Sequence, residues 1–131
     1  MSLTTIVQTH NLSIGYPNYT VASNINVSLY AGELVCLIGP NGAGKSTLMR
    51  TLAAMQPPIS GSTTLLGDDV RKLESRELAR RLSIVLTDRI EIGLLSGYAL
   101  VALGRHPYTD WTGQLSPHDE AVVRWAVEAV G

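Results

Sequence analysis

The sequence predicts an α/β fold in which a glycine-rich loop joins a buried strand to a helix, with an antiparallel β-region before it and a helical region after it. Three observations predict it. Leu34-Val35-Cys36-Leu37-Ile38 is apolar without alternation, as expected for a central strand covered on both faces of a sheet. Gly39-Pro40-Asn41-Gly42-Ala43-Gly44-Lys45-Ser46 follows directly and fits the pattern G-x-x-x-x-G-K-[ST]. Lys45 to Met55 then sets Leu48, Leu52 and Met55 on one helical face, and Pro57-Pro58 bars the helix from continuing.

Upstream of the loop, Ile6 to Leu12 and Asn24 to Leu29 roughly alternate apolar and polar residues around the turn-rich Gly15-Tyr16-Pro17-Asn18, which predicts two half-buried antiparallel strands. Ala31-Gly32-Glu33 turns the chain into the apolar run. Downstream, Ser62 to Leu66 reads as a short strand, Gly67-Asp68-Asp69 as a turn, and Ser75 as the cap of a short helix Arg76 to Arg81. Ser83 to Leu86 returns to the sheet. Ser96 is placed to cap a helix over Tyr98 to Leu103. Ser116-Pro117-His118-Asp119 combines a capping serine, proline at the first helical position and an acid in the first turn, so a helix to Val130 is predicted. That helix presents Ala121, Val122, Trp125 and Ala129 as an apolar stripe, and Glu120-Arg124-Glu128 as a solvated ladder of i,i+4 charges.

Composition narrows the function classes. A chain of 131 residues makes one compact domain or a piece of one. Ten lysines and arginines against 11 acids leave a net charge of −1, so there is no basic field for nucleic acid. The longest apolar stretch, Ile92 to Leu103, is broken by Gly93, Ser96 and Gly97 and falls short of the roughly 20 residues of a membrane span. Met1 to Thr5 lacks the basic start and apolar core of a secretory signal, and the single cysteine, Cys36, has no internal disulfide partner. The expected compartment is the cytoplasm.

The loop carries the chemistry. Nucleotide phosphates hold several negative charges, and glycines at 39, 42 and 44 let backbone N–H groups turn toward those oxygens without a Cβ in the way. A helix starting at Lys45 aims unpaired N–H groups and its positive dipole end at the same place. The Lys45 ammonium adds a mobile charge for the β and γ groups, and the Ser46 hydroxyl is a ligand for magnesium, with Thr47 one residue deeper. His106 and Tyr108 are better read as packing or loop residues than as a metal pair, since no cysteine or carboxylate cluster accompanies them.

The string from Gly39 to Thr47 resembles the Walker A sequence of ATP-binding cassette proteins, a P-loop NTPase family. Ala31-Gly32-Glu33 ahead of the apolar strand is similar to that family's approach to the loop. The resemblance implies an α/β P-loop domain with an N-terminal antiparallel β-subdomain, divided here as residues 1–87 with the Walker A core and 88–131 with the start of a helical subdomain. It implies ATP and magnesium as ligands, with Gly39, Pro40, Asn41, Gly42, Ala43, Gly44, Lys45, Ser46 and Thr47 around the phosphates. Tyr16 stands where the family places an aromatic that stacks on adenine, with a plain hairpin-loop role as the alternative and Tyr19 as the competing aromatic. Transmembrane permease subunits and a second copy of the ATPase are the implied partners, on the cytoplasmic face of the membrane. Val101-Ala-Leu-Gly-Arg-His-Pro-Tyr108 resembles the segment found in importers of iron-siderophores, haem or cobalamin. A soluble ATPase of the same superfamily and a non-catalytic nucleotide-binding module are the alternatives.

The resemblance covers about the first half of such a domain. The family's signature loop, Walker B acids and switch histidine would fall after Gly131, and the 131 residues alone are expected to be inactive. After Ser83 to Leu86 the family usually carries a glutamine that reaches magnesium and the attacking water. Here Thr87 takes that position, followed by Asp88, and no glutamine lies between Gln56 and Gln114. Thr87 and Asp88 either take over that catalytic and coupling role or merely cap the next turn.

Overall fold

The computed structural model describes residues 2–88 and 91–131, which cluster into two units, Met1–Leu78 and Ala79–Gly131. The boundary expected between 87 and 88 lies inside the second unit.

The first unit is organised on β1 (Thr5–Tyr16), whose side chains Leu12 and Ile14 are 0% and 1% exposed. Burying two aliphatic side chains of this size stabilises the unit by about 1.5–3 kcal/mol each. The antiparallel partners of β1 are β2 (Tyr19–Ile25), β3 (Ser28–Tyr30) and β4 (Ser60–Leu65), and β4 in turn pairs β5 (Asp68–Asp69). The single strand expected over Asn24 to Leu29 is therefore two. The physical reason lies in three asparagines. Asn11 and Asn24 adopt φ of 45° and 59°, where the β1 registers slip. The Asn26 side chain holds that distortion by accepting from the Asn11 backbone N–H at 2.9 Å and donating to the Asn24 carbonyl at 3.2 Å. Asparagine tolerates the left-handed region better than most residues, so the bulges sit where they can be accommodated.

The hairpin between β1 and β2 closes on the Tyr16–Tyr19 pair, leaving only Pro17 and Asn18 in the turn. Asp68 and Asp69, expected in a turn, are a short strand instead; the turn is Leu66-Gly67, both at positive φ, as a two-residue hairpin with the sheet's twist demands. After the loop, α1 (Lys45–Leu52) stops short of Met55, because Ala54 takes a left-handed φ of 55° and ends the helix. Its buried residues are Thr47 and Thr51, and the Thr51 hydroxyl donates to the Thr47 carbonyl at 2.8 Å. Leu48 and Leu52 are half-buried and Met55 is exposed. α2 (Ser75–Arg81) follows as expected.

Two expected strands are corrected. Leu34 to Ile38 and Ser83 to Leu86 pair with nothing among the described residues, and Leu34, Ile38 and Val85 are 93%, 90% and 96% exposed. Apolarity without alternation identifies a segment that needs two neighbours, but a strand exists only where a neighbour offers N–H and C=O groups.

The second unit contains α3 (Gly97–Ala102), a 3-10 helix over Leu103–Tyr108, and α4 (Pro117–Val130). Ser96 caps α3 by accepting from the Ala99 N–H at 3.1 Å. Ser116 and Asp119 form a reciprocal capping box at the start of α4. The stripe expected along α4 is rotated. Val123 is 1% exposed and Asp119 is buried, whereas Trp125 is 68% exposed and Ala121 and Ala129 lie at the surface. The covered face runs through Asp119, Val122, Val123 and Ala126, an i, i+3, i+4, i+7 stripe that includes a carboxylate. Arg105 draws that carboxylate inward, its Nη2 and Nε donating to Oδ1 at 2.7 and 2.8 Å. The charge ladder is solvated as expected, with Arg124 and Glu120 3.7 Å apart at the surface. No helix among the described residues is long and apolar enough to cross a membrane.

Hydrogen bonds from the Ser116 hydroxyl and backbone, followed by Arg105, pull the Asp119 pKa from the ordinary 3.8 down to about 2. A carboxyl with a depressed folded pKa contributes stability above its unfolded pKa and loses it as pH falls toward the folded one. The second unit should thus lose stability between about pH 4 and pH 2, and Asp119→Asn should flatten that part of the profile. Helical circular dichroism during acid titration of the two proteins measures the difference; identical acid profiles would assign the loss to other carboxylates.

Candidate nucleotide-binding site

The loop after Ile38 begins with a turn in which the Ala43 N–H donates to the Pro40 carbonyl at 3.2 Å. Gly42 and Gly44 then adopt φ of 84° and 97°, left-handed values that side chains disfavour. Gly44 is constrained twice, since a Cβ there would lie 2.3 Å from Val21 Cγ1. Gly39 is not in the left-handed region; it acts through its carbonyl. The Lys45 ammonium curls back and donates to the carbonyls of Gly39 and Pro40, the latter at 2.8 Å. The cation is thereby held at the mouth of the loop.

Gly44 is also the N-cap of α1, and it brings no side-chain acceptor. The first forward helical bond is from the Leu48 N–H to the Gly44 carbonyl at 2.9 Å. The N–H groups of Lys45, Ser46 and Thr47 precede it and have no acceptor within the helix, and no acid stands in the first turn. Donors and one ammonium beside a cleft, with no competing carboxylate among the described residues, suit a polyanion.

That cleft has a volume of about 330 Å³. Of the expected residues, Tyr16, Asn41, Gly42, Gly44, Lys45, Ser46 and Thr47 line it, while Gly39, Pro40 and Ala43 shape the loop behind it. Ser46 is exposed and Thr47 is 7% exposed, which makes Ser46 the accessible hydroxyl. Val21 and Tyr19 line the same cleft. Val21 carries no polar atom and no motif, so only its contact with Gly44 reveals it; Tyr19 is visible in the sequence as an aromatic beside a turn.

Magnesium takes few protein ligands and keeps waters and phosphate oxygens. The donors here fit that habit, with the Ser46 hydroxyl as a hard oxygen at the helix start and no group of three or more His, Cys, Asp or Glu able to hold a metal among the described residues. Thr87 and Asp88 form an exposed bend of the second unit.

A larger hollow of about 550 Å³ lies within the second unit, but its cations are already engaged. Arg80 and Arg105 stack on the Tyr108 ring at 5.4 and 4.0 Å, Arg105 binds Asp119, and Arg80 Nε donates to the Pro107 carbonyl at 2.8 Å. Tyr108 is thus a packing residue, and the His106 carbonyl accepts from the Thr109 hydroxyl at 3.0 Å.

The sequence is similar to known proteins over nearly its whole length. It is 43% identical over 125 residues to an ABC transporter ATP-binding protein of Methanocaldococcus jannaschii, covering 95% of this chain and 43% of that one. It is 38% identical over 120 residues to the ferric enterobactin transport ATP-binding protein of Escherichia coli, covering 92% and 44%. The chain thus spans less than half the length of these relatives. Among solved structures, a bacterial Atm1-family ABC exporter with ATP bound superposes with a TM-score of 0.53 at 28% identity, over 60% of this chain and 14% of that one. With the sequence profile of ABC transporters matching residues 22–107, which contain the loop just described, the chain belongs to the ABC transporter family.

Proposed function

We propose that this chain forms the nucleotide-binding part of an ATP-hydrolysing subunit that drives import of an iron-siderophore, haem or cobalamin type substrate. The observation that carries the proposal is the loop itself: left-handed Gly42 and Gly44 deliver an uncapped helix start, the Lys45 ammonium and the Ser46 hydroxyl to one cleft. The ferric enterobactin relative, and the segment Val101 to Tyr108 that resembles those importers, support the substrate class.

In the full-length subunit, water attacks the γ-phosphate of ATP and the leaving group is ADP. Little covalent chemistry falls to the protein, so its work is positioning and stabilising charge. Lys45 exchanges the carbonyls of Gly39 and Pro40 for phosphate oxygens, a short movement for an ammonium already at the loop mouth. The N–H groups of Gly42, Gly44, Lys45, Ser46 and Thr47 hold the β-phosphate by dipoles that need little reorganisation. Ser46 would hold magnesium, which would supply charge neutralisation. Tyr16, 48% exposed at the hairpin tip, offers a flat face for adenine while its hydroxyl stays wet. By the resemblance, Thr87, followed by Asp88, takes the position of the family's glutamine, and the two would supply oxygens for its metal-and-coupling role. Permease subunits and a second ATPase copy are the partners of the working assembly, at the cytoplasmic face of the membrane.

Lys45→Ala in the full-length subunit should lower ATP turnover by about 100- to 1,000-fold, the usual effect of removing one oxyanion-stabilising donor, while its circular dichroism matches the parent. Unchanged turnover would refute the site. Tyr16→Ala should weaken ATP binding by on the order of 1 kcal/mol, and Tyr16→Phe should bind as the parent does; equal losses in both would move the role to the hydroxyl. The pair Thr87→Ala and Asp88→Ala together should depress permease-stimulated turnover far more than ATP affinity. Stimulated turnover equal to the parent's would reduce these two residues to a turn.

A further inference from the structure

We infer that Gln56 is a positioning residue that latches the β1–β2 hairpin to the end of α1 and so holds the two walls of the cleft in place; this rests on the nucleotide-binding reading above. One wall is the hairpin, with Tyr16, Tyr19 and Val21, and the other is the loop and the start of α1, from Asn41 to Thr47. The Gln56 side-chain amide donates to the Gly15 carbonyl, 41 positions away in the chain and part of the peptide unit that carries Tyr16. Gln56 is itself anchored to α1. The Met55 N–H beside it donates to the Arg50 carbonyl at 2.9 Å, and Pro57 restricts the backbone of the residue before it. The latch is thus seated at both ends.

The bond falls where the strand ladder supports the hairpin least. Among the described residues the pairing of β1 with β4 ends at Ser13 and Ser60, and its register with β2 slips between Ile14 and Gly15. On the β4 side the Ile59 N–H donates to the Ser13 carbonyl at 2.8 Å, and the Gln56 side chain then serves the Gly15 carbonyl in place of a strand. Gly15 is buried, and a buried carbonyl left unpaired costs about as much as a lost hydrogen bond. The fit at Gly15 is also close. Its φ is 153°, and a Cβ there would lie 2.2 Å from the Tyr19 carbonyl oxygen and 2.9 Å from Ile59 Cδ1. The base of the hairpin is therefore gripped between β2 and the segment that follows α1. Gln56 does not line the cleft itself, so it acts through Gly15 and Tyr16. A ligand that spans both walls depends on this latch, whereas one held by the loop alone does not.

The test compares the full-length subunit with Gln56→Met, which keeps the length of the side chain without its donor, Gln56→Glu, which keeps its shape but offers only acceptors, and Lys45→Ala. Mg-ATP should bind about 3- to 10-fold more weakly to both Gln56 variants, the range of one lost hydrogen bond, with inorganic tripolyphosphate within about twofold of the parent. In turnover the KM for ATP should rise while kcat changes less, because the two walls hold the nucleotide alike in the ground and transition states. Either variant carries the test if the other does not fold. The inference is overturned if the Gln56 variants bind ATP as the parent does, or if kcat falls with KM unchanged. It is also overturned if tripolyphosphate weakens as far as ATP, since Gln56 would then merely shape the loop. Lys45→Ala separates the two levels: loss of both ligands in that variant beside parent-like Gln56 variants sinks only the role of Gln56. Full retention of both ligands in Lys45→Ala sinks the nucleotide reading and this inference together.

Discussion

Backbone pairing to β1 is the constraint on which the first unit depends. Among the described residues, three of the other four strands are hydrogen-bonded directly to it, and β5 reaches it through β4. A strand bonded along so much of its length fixes which of its residues are inside, and a slip of one position would turn Leu12 and Ile14 to water. It also fixes where β1 ends. Tyr16 is its last residue, so the same ladder that buries the aliphatic core carries an aromatic to the rim of the cleft. The bulges at Asn11 and Asn24 bend the ladder without breaking it, because the Asn26 amide replaces the backbone bonds lost there.

The proposed anion site, whose cleft Tyr16 reaches, uses almost no formal charge. The chain as a whole is slightly acidic, and among the described residues one lysine is the only cation in the cleft lining. What the loop supplies instead is orientation: two glycines in the left-handed region turn the chain so that successive N–H groups and a helix start converge. The packing of Val21 onto Gly44 makes the arrangement sterically exclusive, since no larger residue fits at that point. A site built from fixed dipoles binds a polyanion without the non-specific attraction that a basic patch would bring.

The second unit is organised differently, around a polar group. Asp119 caps α4, faces inward and binds Arg105, while Arg105 stacks on Tyr108. A buried carboxylate is costly without partners, and here both oxygens are satisfied, by Arg105 on one and Ser116 on the other. These contacts tie the 3-10 helix to the start of α4 and set the rotation of α4 about its axis. An apolar helix stripe alone would have turned Trp125 inward.

What the sequence determined by itself is what local covalent chemistry dictates. The glycine pattern specifies a loop only glycines can make, Ser96 and Ser116 specify helix starts, and the apolar alternation from Ile6 specifies a strand. These signals act over a few residues, and each appears in the structure at or near its predicted place. The tertiary structure decided everything that requires a distant partner: the splitting of one expected strand into β2 and β3, the rotated face of α4, the place of Val21 and Tyr19 in the cleft. Leu34 to Ile38 and Ser83 to Leu86 mark the same limit from the other side. Their composition states that they are apolar, but hydrogen bonds to a neighbouring strand make a ladder, and composition carries no information about which neighbour supplies them.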